Sequence, residues 1–339
     1  MASLTPFLKI LLEHRTLMAD ESREVFQLMM AGEVSQAEMG AVLALLALRV
    51  PTSEELVGAA HVMRENVARV PTQSDPETLV DTCGTGGAPK TFNVSTAAAI
   101  VAAAAGVRVA KHGNRSRTGR GSAEALKALG VDVDASRETA ARCLDEVGIC
   151  FCFAIHHHPA TRKVIPVRQA LGVPTIFNLL GPLTNPAGAK RQVLGVYDAR
   201  FLKPMAHALL LLGATRAMVV HSDDGLDELS ISAATEIVHV TEQGLSSERV
   251  TPEDVGLLRA PREAVVARDL EHAVKLLRDV VDGKERGAAR DMTLLSAAAA
   301  LLVAEQVDTL AAGVKRAAQA IDQGDAAAKL EAWILCSSR

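Results

Sequence analysis

LVDTCGTGGAPKTFNVSTAAAIVAAAAGVRVAKHGNRS, residues 79–116, decides how this chain is built. A short apolar run ends in a glycine-rich turn. An Ala-rich helical pattern follows from Ser95 to Ala105, Gly106 stops it, and a second apolar run, VRVA, leads into a basic loop. Strand, helix, strand in this order is a βαβ unit, the connection that parallel strands require. The alternation continues downstream through Ala123–Leu129, VDV, Arg137–Val147, ICFCFA, QVLGVY, a helix ending near Gly213, AMVVHS and EIVHV. Gly106, Gly130, Gly148 and Gly213 each follow a helical segment, where a left-handed cap is favoured. The pattern predicts a mostly parallel sheet flanked by helices.

The flanks read differently. Upstream lie helical runs at 7–12 and 24–30, with Gly32 just after the second. Two Ser/Thr-x-x-Glu capping boxes follow, Ser35 with Glu38 and Thr52 with Glu55, and Pro51 ends the first of these helices. Downstream, helical runs cover 270–281, 288–304 and 310–321. The predicted class is therefore α/β, with a small all-helical N-terminal domain over residues 1–72 and a larger α/β domain over 73–339, joined at the polar link QSDPE.

Composition bounds the function. Hydrophobic residues make up 49% and aromatics only 3%, so the core must be built from Leu, Val, Ile and much Ala. A net charge of −4 excludes a basic nucleic-acid footprint or a polybasic membrane patch. The N-terminal apolar run has no charged leader before it and no small-residue cleavage site after it, which makes it the first helix of the fold. No run reaches the ~20 apolar residues of a membrane span. The five cysteines fit no zinc or redox spacing, and Cys150 and Cys152 share one face of a strand as buried thiols. A reducing cytoplasm is the expected compartment.

Four segments carry chemistry. In the first, Gly84, Gly86 and Gly87 let backbone N–H groups approach a ligand, and Asn93, Ser95 and Thr96 cluster at the following helix start. Such a nest suits phosphate oxygens, although Ser95 and Thr96 would serve equally as helix caps. In the second, Lys111, Arg115, Arg117 and Arg120 gather positive charge after a strand, among Gly113, Gly119 and Gly121, with Ser122 opening the next helix. That is an anion site or a solvated loop. The third holds His156, His157 and His158, adjacent residues too divergent to chelate one ion. It also holds Arg168 on an apolar helix, suited to a buried Asp or a substrate carboxylate, and a rigid turn of Gly181, Pro182, Asn185 and Pro186. In the fourth, Asp223, Asp224, Asp227 and Glu228 crowd one loop after a strand, a donor set for Mg²⁺ or simply an acidic surface loop.

Together and in this order, GTGG…TFNVSTA, VAKHGNRS, GSAEALKALG, PVR..LG, TIFNLLGPLTNPA and GLDELS resemble the anthranilate phosphoribosyltransferase family. The resemblance covers nearly the whole chain. It implies transfer of the ribose-phosphate of phosphoribosyl pyrophosphate (PRPP) to anthranilate in tryptophan biosynthesis, with two Mg²⁺ ions, in a cytoplasmic homodimer. The helical domain would be the dimerisation unit, joined in space by helices near 160–186. PRPP-binding positions implied by the match are Gly84, Gly87, Ala88, Thr91, Asn93, Ser95, Thr96, Lys111, Asn114, Arg115, Ser116 and Ser122. Gly84, Asn114 and Arg168 match anthranilate contacts, and Ser95, Asp227 and Glu228 match metal ligands. Two departures touch the pyrophosphate side. Ala88 stands where the family loop carries Asp, followed by Pro89, and the loop after Ser116 is one residue short around Thr118 and Gly119.

The implied reaction needs no protein nucleophile, and no residue is assigned as catalytic base. His112 is a candidate by position only. Three rival functions are a nucleoside phosphorylase of the same fold, a nucleic-acid-binding relative without activity, and a phosphoribosyltransferase for another aromatic amine. KHGNR and NLLGPLTNP oppose the first, the charge opposes the second, and Ala88 is the one feature favouring the third.

Overall fold

Ser35 and Thr52 cap their helices as read: each hydroxyl accepts the N–H of the residue three on, and each partner Glu returns the bond. The computed structural model describes residues 2–89, 91–116 and 119–339; Arg117 and Thr118 of the basic loop lie outside them. Helices α1 (Thr5–Leu12), α2 (Ala19–Ala31), α3 (Gln36–Ala47) and α4 (Ser53–Glu65) form the N-terminal bundle. The α/β region follows as β1 (Leu79–Gly84), α5 (Val94–Ala104), β2 (Arg108–Gly113), α6 (Ser122–Leu129), α7 (Arg137–Arg142) and β3 (Ile149–Phe153). Short helices α8 (Ala154–His157), α9 (Ile165–Leu171) and α10 (Phe177–Leu180) precede β4 (Arg191–Gly195), α11 (Leu202–Leu211), β5 (Arg216–Ser222), β6 (Thr235–Thr241) and β7 (Gly244–Val250). Helices α12 (Leu270–Val281), α13 (Ala288–Val303), α14 (Leu310–Asp322) and α15 (Asp325–Ser337) close the chain. No helix among the described residues is long and apolar enough to cross a membrane.

The sheet order is β3-β2-β1-β4-β5-β6-β7. The first five strands in this order are parallel; β6 and β7 are antiparallel. A two-residue turn joins β6 to β7, which permits only an antiparallel pair. Strand β7 is an exposed polar edge, and its Ser, Glu and Arg side chains blunt it against further pairing. Gly106, Gly130, Gly148 and Gly213 all take positive φ.

Two expectations change. VDV is not a strand: Val131 and Val133 are buried, but Asp132 N–H donates to Ser337 Oγ rather than to a ladder. The apolar pattern there plugs the space beneath α15. The pairing of β6 with β7 and the last helix α15 were not read from the sequence, because SSER and an Ala-rich polar run carry little periodic signal.

Each face of the sheet carries its own core. On one, Val193, Met218 and Val220 pack with α5, α13 and the other C-terminal helices. On the other, Leu194, Ala217 and Val219 pack with α11, and that core runs without a break into the N-terminal bundle. Three segments after β3 join the bundle: Pro159–Lys163 packs on α2, α9 on α3, and α10 on α4. Arg64 of α4 pins the junction, its guanidinium donating to Leu183 O and Leu212 O, each at 2.8 Å.

Within the bundle, Glu55 is fully buried. Its carboxylate accepts from Leu17 N–H and Thr52 N–H, both at 2.9 Å, and from both terminal nitrogens of Arg49. Burial pushes its pKa up, but the Arg49 guanidinium and the N–H donors prevail and hold it below 4.5. A depressed folded-state pKa stabilises the protein above the unfolded value, and that stability is lost as pH falls through the folded one. Chemical unfolding followed below pH 4.5 will therefore show a loss of stability that Glu55→Gln lacks. At neutral pH the same substitution costs about 1–3 kcal/mol, because the Arg49 bond loses its charge.

Candidate active site at the carboxyl ends of the strands

The ladder between β1 and β2 stops early. Leu79 pairs with Arg108 and Val80 with Val109, and no further pair follows, whereas β1 runs alongside β4 as far as Gly84 and Gly195. Side chains fill the split. Asp81 accepts the His112 N–H at 3.0 Å and the Asn185 amide at 2.8 Å. Asn185 also donates to Ala110 O at 2.8 Å, and Lys111 reaches back across to Thr82 O at 2.5 Å. Burial raises the Asp81 pKa to about 6, opposed by the Asn185 and His112 donors. Beyond this point the two strands turn apart into the glycine turn and the basic loop.

The glycine turn rests on β4. Thr85 N–H donates to Gly195 O at 2.9 Å, and Tyr197 N–H donates to Thr85 Oγ1 at 3.1 Å. Gly86 and Gly87 take positive φ, and Gly87 lies over the Tyr197 ring. Ala88 brings no carboxylate here, and Pro89 packs near Gly225 of the acidic loop.

That acidic loop divides. Asp223 pairs with Arg249, and Asp224 accepts from Ser230 and Ser232, so both serve the loop itself. Asp227 and Glu228 turn inward. A Cβ on Gly195 would lie 1.7 Å from Asp227 O, and one on Gly84 would lie 2.7 Å from Asp227 Oδ2, so two absent side chains make the seat for Asp227. Glu228 is half-buried at the N-terminus of α5, where its carboxylate accepts the Ser95 N–H. Burial and the neighbouring Asp227 charge both push its pKa up. Lys111, buried beneath, donates to Ser95 Oγ at 3.2 Å, and burial holds its ammonium below the usual range. It therefore supports Ser95 and β1 from below and does not face the open cleft.

The basic loop forms a second group. Asn114 Oδ1 accepts Arg115 N–H at 2.8 Å, Ser116 Oγ accepts Arg120 N–H at 3.0 Å, and Ser122 Oγ donates to Asn114 O at 3.4 Å. Asn93 joins the two groups by donating to Arg120 O at 3.2 Å. Arg115 lies over the Phe153 ring. Neither serine nor threonine caps α5: among the described residues Thr96 Oγ1 is buried without a partner, Ser95 Oγ accepts from Lys111, and Thr91 Oγ1 donates to Phe92 O.

The three histidines diverge, His156 to Asp134, His157 to Ala68 O and His158 to His112. His112 bonds Gly181 O at 3.1 Å through Nδ1 and His158 at 3.2 Å through Nε2. With a carbonyl on Nδ1 that nitrogen must carry the proton, so Nε2 accepts from His158. Burial and the His158 ring hold His112 neutral, and both of its nitrogens are occupied, which removes it as a proton acceptor. The same bond brings the segment carrying Arg168 to the end of β2. Arg168 stacks on Phe177, its centre 5.1 Å from the ring, and no acidic side chain among the described residues pairs with it. It makes no hydrogen bond with Gly84 or Asn114 among those residues.

Asp81, Gly195 and Tyr197 were not singled out by the sequence, and His158 and Asn185 were read only as one of three non-chelating neighbours and as a turn residue. A lone carboxylate in an apolar strand and a lone glycine inside QVLGVY were the available signals.

Comparison with known proteins places this geometry. Residues 76–327 match the glycosyl transferase family α/β domain, and residues 5–67 match the helical bundle domain of the same family. The anthranilate phosphoribosyltransferase of Rubrobacter xylanophilus is 46% identical over 321 residues, 94% of this chain and 93% of its own. The crystal structure of the anthranilate phosphoribosyltransferase from Thermus thermophilus superposes with a TM-score of 0.91 at 42% identity, covering 98% of this chain and 99% of its own. The Saccharomyces cerevisiae enzyme, solved in complex with PRPP and Mg, gives 0.89 at 25% identity, covering 99% and 98%. The chain belongs to this glycosyl transferase family, among its anthranilate phosphoribosyltransferases.

Proposed function

We propose that the protein transfers the ribose-phosphate of PRPP to the amine of anthranilate, releasing pyrophosphate, as a step of tryptophan biosynthesis. The observation that carries this reading is the meeting of the glycine turn, the inward acidic pair and the basic loop where β1 and β2 part. Gly84, Gly87, Ala88, Thr91, Asn93, Ser95 and Thr96 border the PRPP pyrophosphate from the β1 side. Asn114, Arg115, Ser116 and Ser122 border its phosphates from the β2 side, and Lys111 acts through Ser95. Arg168, a half-buried guanidinium stacked on Phe177 without an acidic partner among the described residues, grips the anthranilate carboxylate, with Gly84 and Asn114 alongside.

Mg²⁺ use fits the donor set. Two carboxylates forced together in a half-buried seat repel each other, and with the Ser95 hydroxyl they form a hard-oxygen set of few members, as suits an ion that keeps waters and substrate phosphates. Ser95, Asp227 and Glu228 would hold it, and two ions per site are proposed. A bound Mg²⁺ supplies neutralisation of charge on the leaving pyrophosphate. The chain's own work is positioning: the turn fixes the diphosphate, Arg168 orients the amine toward C1 of the ribose, and the buried floor keeps both in place.

We also propose a homodimer. Helix α1 packs on α3 and α3 on α9, and Leu12, Leu48, Ile165 and Val173 remain exposed around them. A cytoplasmic location suits a phosphorylated substrate and five free thiols. Light scattering on the purified chain will give twice the mass of 35.7 kDa, and a monomer at working concentration would remove the dimer.

The reaction is tested by anthranilate fluorescence with PRPP and Mg²⁺. The signal will fall, EDTA will stop the fall, and Arg168→Ala will raise the anthranilate KM by roughly 10- to 10²-fold, the loss of one charged hydrogen-bonding partner. An unchanged signal at high enzyme concentration sends the search to other amines.

Gly195→Ala will keep PRPP-independent folding signals but lower kcat/KM by about 10²-fold, because Asp227 must shift by an ångström or more. Activity within twofold of wild type would mean that the seat of Asp227 is not used.

A further inference from the structure

Behind the acidic pair the sheet and its helices leave a small cavity of about 10 Å³. Thr82 of β1, Ser95 of α5, Asp227, Glu228 and Ser296 of α13 are among its polar lining, and Ala98, Val193 and Val220 among its apolar lining. That volume is about one water.

Ser296 is the unexplained member. It is only 4% exposed, and its hydroxyl has no hydrogen-bond partner among the described residues. A helical serine in apolar surroundings usually bonds back to its own helix. Thr293, one turn earlier, does so, donating to Ala289 O at 2.9 Å. Ser296 instead lines the cavity. A buried hydroxyl left unpaired costs roughly 1–3 kcal/mol, so a partner belongs in that space. The groups facing it include Glu228, whose carboxylate has about four acceptor positions. Ser95 N–H uses one of them.

We propose that one ordered water occupies this cavity, accepting the Ser296 hydroxyl proton and donating to the Glu228 carboxylate, so that Ser296 is a positioning residue for the inner metal ligand. The inference rests on the reading of Glu228 as a metal ligand. A carboxylate tethered from behind keeps its other oxygen aimed into the site, and outer partners of this kind govern metal affinity.

Two measurements test it. A high-resolution crystal structure of the wild-type protein will place a water within hydrogen-bond distance of Ser296 Oγ and Glu228; a dry cavity overturns the proposal. Mn²⁺ binding in the presence of PRPP, followed by the paramagnetic signal of free Mn²⁺, will weaken by roughly 10-fold in Ser296→Ala. Ser296→Thr, which keeps the hydroxyl, will stay near wild type, and the anthranilate KM will be unmoved in both. Equal Mn²⁺ affinity in wild type and Ser296→Ala overturns the proposal and leaves the metal reading standing. No Mn²⁺ binding by the wild type removes the metal reading and the proposal with it. If Ser296→Ala fails to fold, the wild-type crystal structure still decides.

Discussion

Where β1 and β2 stop pairing, a carboxylate takes the place of the ladder. Asp81 accepts the His112 N–H that would otherwise point at a strand, and Asn185 covers both Asp81 and Ala110 O. Backbone donors and acceptors this deep must be satisfied. These side chains satisfy them while letting the chains diverge. The divergence creates the cleft, because parallel strands that stayed paired would leave no room between the glycine turn and the basic loop. It also ties the cleft to the distant turn carrying Asn185, so the floor of the site and one wall are a single hydrogen-bonded unit.

Asp227 and Glu228 show how the same floor manages charge. Asp227 sits where Gly84 and Gly195 lack side chains, and Glu228 lies at the positive end of α5. Lys111 places a third charge just beneath. Three ionisable groups in so little space are costly to desolvate; Lys111 offsets part of the cost for Glu228, while Asp227 adds to it. Ser95 is the point where they converge, since its N–H faces Glu228 and its hydroxyl faces Lys111.

Much of this was legible in the sequence, for a physical reason. The βαβ pattern is local: LVDTC, the Ala-rich helix and VRVA each bury apolar residues with their own period, and the caps at Ser35 and Thr52 lie within four residues. The motif residues Ser95, Asp227 and Glu228 were legible because GTGG, NVST and GLDELS are distinctive in composition. What stayed hidden is set by approach between distant segments. Nothing within VDV says that α15 will cover it. Nothing near Gly195 says that Asp227 O will need the place of its side chain, and nothing near His112 says that His158 will occupy its second nitrogen.

The bundle around α1 to α4 is not finished by the residues that begin it. Its core closes only when Val164, Val167, Ile176 and Phe177 arrive, more than a hundred positions later, and Arg64 waits for Leu183 and Leu212. During synthesis, then, the first helices emerge with an apolar face uncovered while three strands of the sheet are made. The two regions are interleaved along the chain as well as in space, since the segment that completes the bundle sits between β3 and β4 and is made before the second half of the sheet. In a chain so ordered the early helices depend on the late ones for their burial.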